Sequence, residues 1–365
     1  MLQRTLQAYR KFDWLLFGSS LLLTGLGLLA LYSIGLGAES DFSSFKKQLL
    51  FTVLGVAIVF VAGAGFHYRW LAFTTVSAYV GSLLLLALVL VAGKTINGTR
   101  GWLSLGPIGF QPVELAKVVL IVIMAKFLAT HGRYTKDLRV VARSAATVAF
   151  MILLVVLQPD LGGAIVLGII WFGMVLASGM RWRHLLTMAA VAAIFAVAAW
   201  SLLLRPYQKD RILTFLDPER DPFGRGYNVT QSVIAIGAGQ LTGRGVASGS
   251  QSQLRFLPEA RTDFIFSVIA EELGFVGVAI MIGLFLILLS RLYVLAKRSR
   301  DDFTLFLIVG TATLIASEAF INVGVASGML PVTGLALPFV SYGGTSLVLH
   351  FLLIAVMENI ATRQG

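Results

Sequence analysis

Ten apolar stretches, beginning near residues 14, 47, 71, 112, 143, 161, 184, 264, 303 and 345, divide this chain of 365 residues. A helix needs about 20 mostly apolar residues to cross the hydrocarbon core of a bilayer. Backbone polar groups inside that core must find partners within the protein, which favours helices. The expected class is all-α: a polytopic membrane protein with ten transmembrane helices in a single integral membrane domain, residues 1–365. Composition agrees, since only 13% of residues are charged, against about 25% in an ordinary soluble domain.

The fifth and sixth stretches are interrupted by Gln158-Pro159-Asp160. From Ser144 to Ser178 the chain is too long for one span and suits two short ones in a hairpin. Basic clusters on either side (Arg133, Lys136, Arg139, Arg143; then Arg181, Arg183) then fall on one face. Ten spans put both termini on the same side. That side holds 15 Lys and Arg, and the opposite short loops hold 4 (Lys46, Lys47, Lys94, Arg100). The excess of basic residues predicts that both termini are cytoplasmic. A large loop, 205–262, lies between helices 7 and 8 on the extracytoplasmic side and carries 8 more basic residues.

The net charge of +11 comes from basic residues scattered between apolar runs. It predicts topology signals and attraction to anionic membrane lipids, and no nucleic acid. There is no cysteine, hence no disulfide or thiol chemistry. The first run, Trp14 to Leu36, is too long for the core of a cleavable signal.

Four polar or Gly/Pro-rich segments converge on the outer face in this layout: 94–111, the QPDLGG hairpin, 205–262 and 327–344. Loops on a rigid scaffold are where binding and catalysis concentrate. Ionisable residues entering the spans beside them are functional candidates, because charge in hydrocarbon is expensive. Glu114 and Lys117, three residues apart, share a helical face. They form either a self-neutralising interfacial pair or a site where Lys117 receives a phosphate or a polar sugar. Asp263 opens the eighth span. Either Thr262 or Asp263 caps that helix, or Asp263 is a general base in a half-apolar site. Glu271 and Glu272 lie about two turns deeper and are expected in a buried hydrogen-bonded network.

Asp160 is expected to cap the sixth span. Lys209, Arg211, Arg220, Arg225, Arg244, Arg255 and Arg261 are either solvated or partly engaged with a diphosphate, which suits arginine. The glycines of GAGQLTGRG (237–245) resemble a phosphate-cradling loop. His67, His131, His184 and His350 show no metal-ligand spacing, so no metal site is expected. No Walker A pattern is present.

Five strings identify a family: NGTRGWLSLGPIGFQPVELAK (97–117), QPDLGGA (158–164), FLDPERDPFGRGYNVTQSVIAIGAGQLTGRG (215–245), LPEARTDFIFSVIAEELGFVG (257–277) and LPVTGLALPFVSYGGTS (330–346). They resemble the SEDS family (shape, elongation, division, sporulation) over essentially the whole chain. YQKDRI (207–212) and GSQSQLRFLPE (249–259) look more like its elongation branch, RodA, than its division branch, FtsW. The resemblance implies a peptidoglycan glycosyltransferase of the bacterial cytoplasmic membrane that polymerises lipid II on its outer face. It implies Asp263 as the catalytic aspartate, and maps other family motifs onto Glu114, Lys117 and Asp160. Substrate binding is expected from Lys117, Glu114, Arg211, Arg244, Arg255, Arg261 and Asp160. A class B penicillin-binding protein is the implied partner, and a divalent cation, Mg or Mn, is left open. The family often carries His before the Thr of TDFIF, where this chain has Arg261.

Two other functions fit a polytopic protein with intramembrane charges: a flippase moving lipid II across the membrane, and a scaffold for the penicillin-binding protein. The candidate groups gather towards one face, and no internal repeat relates the halves, which favours the enzyme. A scaffold would leave the loop charges without a purpose.

Overall fold

The computed structural model describes residues 11–37, 40–65, 67–96, 98–105, 108–131, 138–180, 224–254 and 256–364, with isolated positions between 183 and 217. The chain runs through α1 (Trp14–Gly35), α2 (Ser43–Gly65), α3 (Thr75–Ala92), a small sheet, α4 (Pro112–His131), α5 (Leu138–Leu157) and α6 (Leu161–Ala177). After the seventh apolar run, which lies outside the described residues, come α7 (Arg225–Gly239), the single turn α8 (Ser250–Gln253), α9 (Ile265–Lys297), α10 (Asp302–Ala326) and α11 (Gly344–Gln364).

Seven of these helices are long and apolar enough to cross a membrane: α1, α2, α3, α5, α9, α10 and α11. The helix α4 has the length, but Glu114, Lys117 and Lys126 interrupt its apolar run; α6 has 17 residues. The surface is apolar, with Phe73 83% and Val91 77% exposed, while Lys117 is 1% and Glu271 0% exposed. Large apolar side chains outside and ionisable ones inside suit a bundle whose solvent is lipid.

Local chemistry sets the helix starts. The Asp13 carboxylate accepts from Leu16 N at 3.2 Å to open α1, and Asp301 accepts from Thr304 N at 2.9 Å to open α10. Each satisfies an orphan N–H of a first turn. Helix α2 packs on α11, α9 on α1 and α7, and α10 on α4 and α6. A Cβ on Gly55 of α2 would stand 2.3 Å from the Phe351 ring of α11, so this approach needs glycine.

The all-α expectation needs one correction. The 94–111 loop folds into a three-stranded antiparallel sheet, β1 (Lys94–Ile96), β2 (Thr99–Leu105) and β3 (Ile108–Phe110). Lys94 pairs with Trp102, Ile96 with Thr99, and Leu103 with Phe110. The cue was Asn97-Gly98 between β-compatible residues, the strongest short hairpin signal; Gly98 has φ +80°. Arg100 N donates to Gln158 O at 3.2 Å and Thr345 Oγ1 to Gly109 O at 3.0 Å, tying the sheet to the α5–α6 hairpin and to α11.

Helix α9 is two helices in line, broken at Gly274 (φ 63°, ψ −161°). Segment 240–245 fills the break. Arg244 N and Gly245 N donate to Glu271 O and Glu272 O at 3.0 Å each, on the upstream half. Phe275 N and Val276 N donate to Gln240 O and Leu241 O at 2.8 and 3.1 Å, on the downstream half. Backbone groups freed by the break are thus satisfied from within the chain, as hydrocarbon requires.

Candidate active site

Two groups of polar side chains meet on one face of α10. The first begins with Lys117, which donates to Glu114 Oε1 at 2.7 Å on its own helix and also to Glu318 Oε1 on α10. Glu318 Oε2 in turn lies 2.9 Å from His350 Nε2 on α11. The other ring nitrogen, Nδ1, is 2.8 Å from the Ser346 carbonyl, which can only accept, so Nδ1 carries a hydrogen. The Nε2–Glu318 contact then needs a second proton, on the ring or on the carboxyl. With that proton on the ring, two cations face two carboxylates and the buried cluster is neutral, the condition for tolerating charge there.

The second group surrounds Asp263. The N-cap of α9 is Phe264, so neither Thr262 nor Asp263 occupies the cap position. Across from Asp263 lies Gly334, where a Cβ would stand 3.8 Å from Asp263 Oδ2. Asn322 Nδ2 donates to the Asp263 carbonyl at 2.9 Å. Glu318 and Asn322 are four residues apart on α10, one helical turn, about 6 Å along the axis. The lysine cluster and the Asp263 peptide are therefore neighbours.

The start of α6, which Asp160 caps, approaches segment 331–337 from a third direction. Asp160 is the N-cap of α6, its Oδ1 accepting from Gly163 N at 2.8 Å. Gly162, two residues on, packs against the Thr333 carbonyl, where a Cβ would stand at 2.6 Å. Segment 331–337 thus runs between the start of α6 and Asp263.

The arginines go elsewhere. Arg261 Nη1 binds Asp41 Oδ2 at 2.8 Å and Ser44 Oγ at 3.0 Å, at the start of α2. Hydrogen bonds from Ser43 to the Asp41 carboxyl, reinforced by Arg261, hold that carboxyl well below the usual carboxylate range. Arg244 is exposed and binds Ser250 Oγ at 3.1 Å. Arg211 and Arg255 lie outside the described residues.

Glu271 accepts from Gln251 N at 2.9 Å and Ser252 N at 3.2 Å, completing the first turn of α8. Glu272 accepts from Ser33 and from Ser252. Both belong to the hydrogen-bonded network expected of them. The glycines of GAGQLTGRG do not form an open cradle: a Cβ on Gly239 would lie 1.8 Å from Ala270 O, and on Gly243 2.1 Å from Glu272 O. They admit the plug to the break in α9.

Sequence reasoning missed Glu318, Asn322 and His350. Glu318 and Asn322 carried a signal, polar groups one turn apart inside an apolar run. His350 was weighed only as a metal ligand. Among the described residues, no three His, Asp or Glu gather as metal ligands. Glu114 and Glu318 both bind Lys117, so the cluster as built offers no free carboxylate pair to a divalent cation.

The model of the cell cycle protein family of FtsW, RodA and SpoVE matches residues 13–365. The chain belongs to that family. The peptidoglycan glycosyltransferase MrdB of Escherichia coli K12 is 37% identical over 286 residues, 78% of this chain and 77% of that protein. Among solved structures, one chain from a study of how a peptidoglycan synthase complex coordinates polymerisation and crosslinking superposes with TM-score 0.83. It is 38% identical and covers 97% of this chain and 98% of its own. The rod shape determining protein RodA of Thermus thermophilus superposes with TM-score 0.70 at 33% identity, covering 96% of each chain. This member of the family therefore has a multi-pass, RodA-like helical fold.

Proposed function

We propose that this protein is a peptidoglycan glycosyltransferase that polymerises lipid II into β-1,4-linked glycan strands during cell elongation, at the outer face of the cytoplasmic membrane. Membership of the FtsW, RodA and SpoVE family and the names of the relatives support the activity. The observation that carries the chemistry is the adjacency of Asp263 and the Lys117 cluster across one turn of α10. Asp263 removes the proton from the acceptor sugar 4-hydroxyl, whose oxygen attacks the anomeric carbon of a second lipid-linked disaccharide. The α-linked undecaprenyl diphosphate departs with the bonding electrons, and inversion gives the β-bond without a covalent enzyme intermediate. Lys117 is the cation assigned to the departing diphosphate, which competes with Glu114 and Glu318 for it. Asp160, at the start of α6, borders the same space. Arg211, Arg244 and Arg255 are candidates for contacts with substrate from the large loop. Arg261, bound to Asp41, serves by fixing the entrance to α9 against α2.

The layout that fits is a single integral domain with ten spans, both termini cytoplasmic, and the 205–262 loop, which contains α7 and α8, between the seventh and eighth spans on the outer side. A class B penicillin-binding protein is the proposed partner, supplying the cross-linking step that polymerisation leaves undone. Transporters use broken helices to expose backbone to a substrate. The break in α9 is instead filled by segment 240–245, which favours the enzyme over a flippase. The deciding experiment is lipid II polymerisation by the purified protein. Asp263→Ala should lower the rate about 10²–10⁴-fold, the usual worth of a general base. A folded Asp263→Ala protein that polymerises at a near-normal rate would refute the assignment.

A further inference from the structure

Three consecutive carbonyls hold the peptide that carries Asp263. Arg261 O accepts from Tyr342 N at 2.9 Å, Thr262 O from Ser341 Oγ at 2.6 Å, and Asp263 O from Asn322 Nδ2 at 2.9 Å. Buried carbonyls left without partners would cost about 1–3 kcal/mol each. The partners here come from α10 and from the segment leading into α11.

Each side-chain donor does a second task. The other Asn322 Nδ2 hydrogen goes to Leu335 O at 2.7 Å, beside Gly334. Ser341 Oγ also accepts from Leu337 N at 2.8 Å. Gln48 on α2 closes the set, donating to Ser341 O at 3.0 Å and accepting from Gly343 N at 3.2 Å. Asn322, Ser341 and Gln48 are all buried. The two carbonyls facing the Asn322 amide fix which end is nitrogen. Its Oδ1 is buried without a hydrogen-bond partner, so this side chain is oriented for its two donations at the expense of its own acceptor.

An aspartate side chain is short, so the place of its carboxyl follows the place of its backbone. A misplacement of about 1 Å at a reacting group can cost about 10²-fold in rate. We propose that Asn322, Ser341 and Gln48 are positioning residues for the glycosyl transfer: together they clamp backbone 261–263 and hold the Asp263 carboxyl against Gly334, facing the acceptor hydroxyl. The inference rests on Asp263 being the base.

The test compares variants of the purified full-length protein in lipid II polymerisation, resolving kcat from KM. Ser341→Thr and Ser341→Val have nearly the same shape, a methyl in the second standing where the first keeps the hydroxyl. The Thr variant should stay within about 3-fold of wild-type kcat. The Val variant should fall about 10-fold or more in kcat, at a KM within about 3-fold, as a misplaced base requires. Asn322→Leu, which removes both donors, should fall in kcat in the same way. Equal kcat in the Thr and Val variants, or losses confined to KM, would overturn the proposal. Asp263→Ala in the same assay separates the two claims. If it is inactive while Ser341→Val and Asn322→Leu turn over normally, the clamp alone fails. If Asp263→Ala is active, the base assignment fails and the clamp with it.

Discussion

Lys117 on α4 binds Glu318 on α10, 201 residues further along the chain. Two helices that close the centre of the bundle are thus joined by an ion pair almost fully withdrawn from solvent, with side chains 2% and 3% exposed. Loss of either partner therefore acts on stability.

Lys117→Met removes the cation that lies between Glu114 and Glu318 and leaves His350, on the far oxygen of Glu318, as the remaining basic group of the cluster. Breaking a buried pair from one side typically costs about 3–5 kcal/mol. The double variant Lys117→Met with Glu318→Gln should recover part of that loss, because contacting residues are not additive. Thermal unfolding in detergent reads this without reference to activity. Strictly additive losses would show that the two residues are not coupled.

The fit of the plug into α9 predicts a contrast within one glycine-rich run. Gly239→Ala should lower the unfolding temperature by several degrees, since its Cβ would sit 1.8 Å from Ala270 O. Gly237→Ala should change it little, because nothing lies within 4 Å of that Cβ. Calorimetry or a thermofluor melt in the same detergent distinguishes them; equal melting of the two variants would contradict the close approach of Gly239 to α9.

Asp160 separates by isostere. Asn caps a helix about as well as Asp, and Ala loses about 0.5–2 kcal/mol. Asp160→Asn should keep wild-type stability while Asp160→Ala loses some. If the charge of Asp160 also touches substrate, Asp160→Asn lowers polymerisation with stability unchanged; full activity in that variant would confine Asp160 to capping.

The Asp41–Arg261 bond predicts a flat pH response in the neutral range. The folded-state pKa of Asp41 is depressed, so its contribution is present above the unfolded value, about 3.9. It is lost only as pH falls through the lower folded value. The activity ratio of Asp41→Asn to wild type should therefore be constant from about pH 5 to pH 8. A ratio that changes across that window would place the titration of Asp41 within it.

The helices were legible because the bilayer leaves so few choices: nine of the ten apolar stretches meet a described helix. Asp263, Glu114 and Lys117 stood out as candidates because charge inside an apolar run is rare. The partners of those residues could not be paired from the sequence, because Lys117 reaches Glu318 through helix packing, and helical periodicity does not say which faces meet. The GAGQLTGRG segment misled for a related reason. Glycines that admit an anion and glycines that admit another stretch of backbone satisfy the same steric requirement, and only the neighbour distinguishes them.

The plug in α9 also has a temporal side. Residues 240–245 leave the ribosome before the helix whose gap they fill. The first N–H groups of the downstream half-helix, Phe275 and Val276, have no partner within that helix and are met by the Gln240 and Leu241 carbonyls. The acceptors of the glycine-rich segment are therefore made before the donors they bind, and the break in α9 is closed by backbone from earlier in the chain.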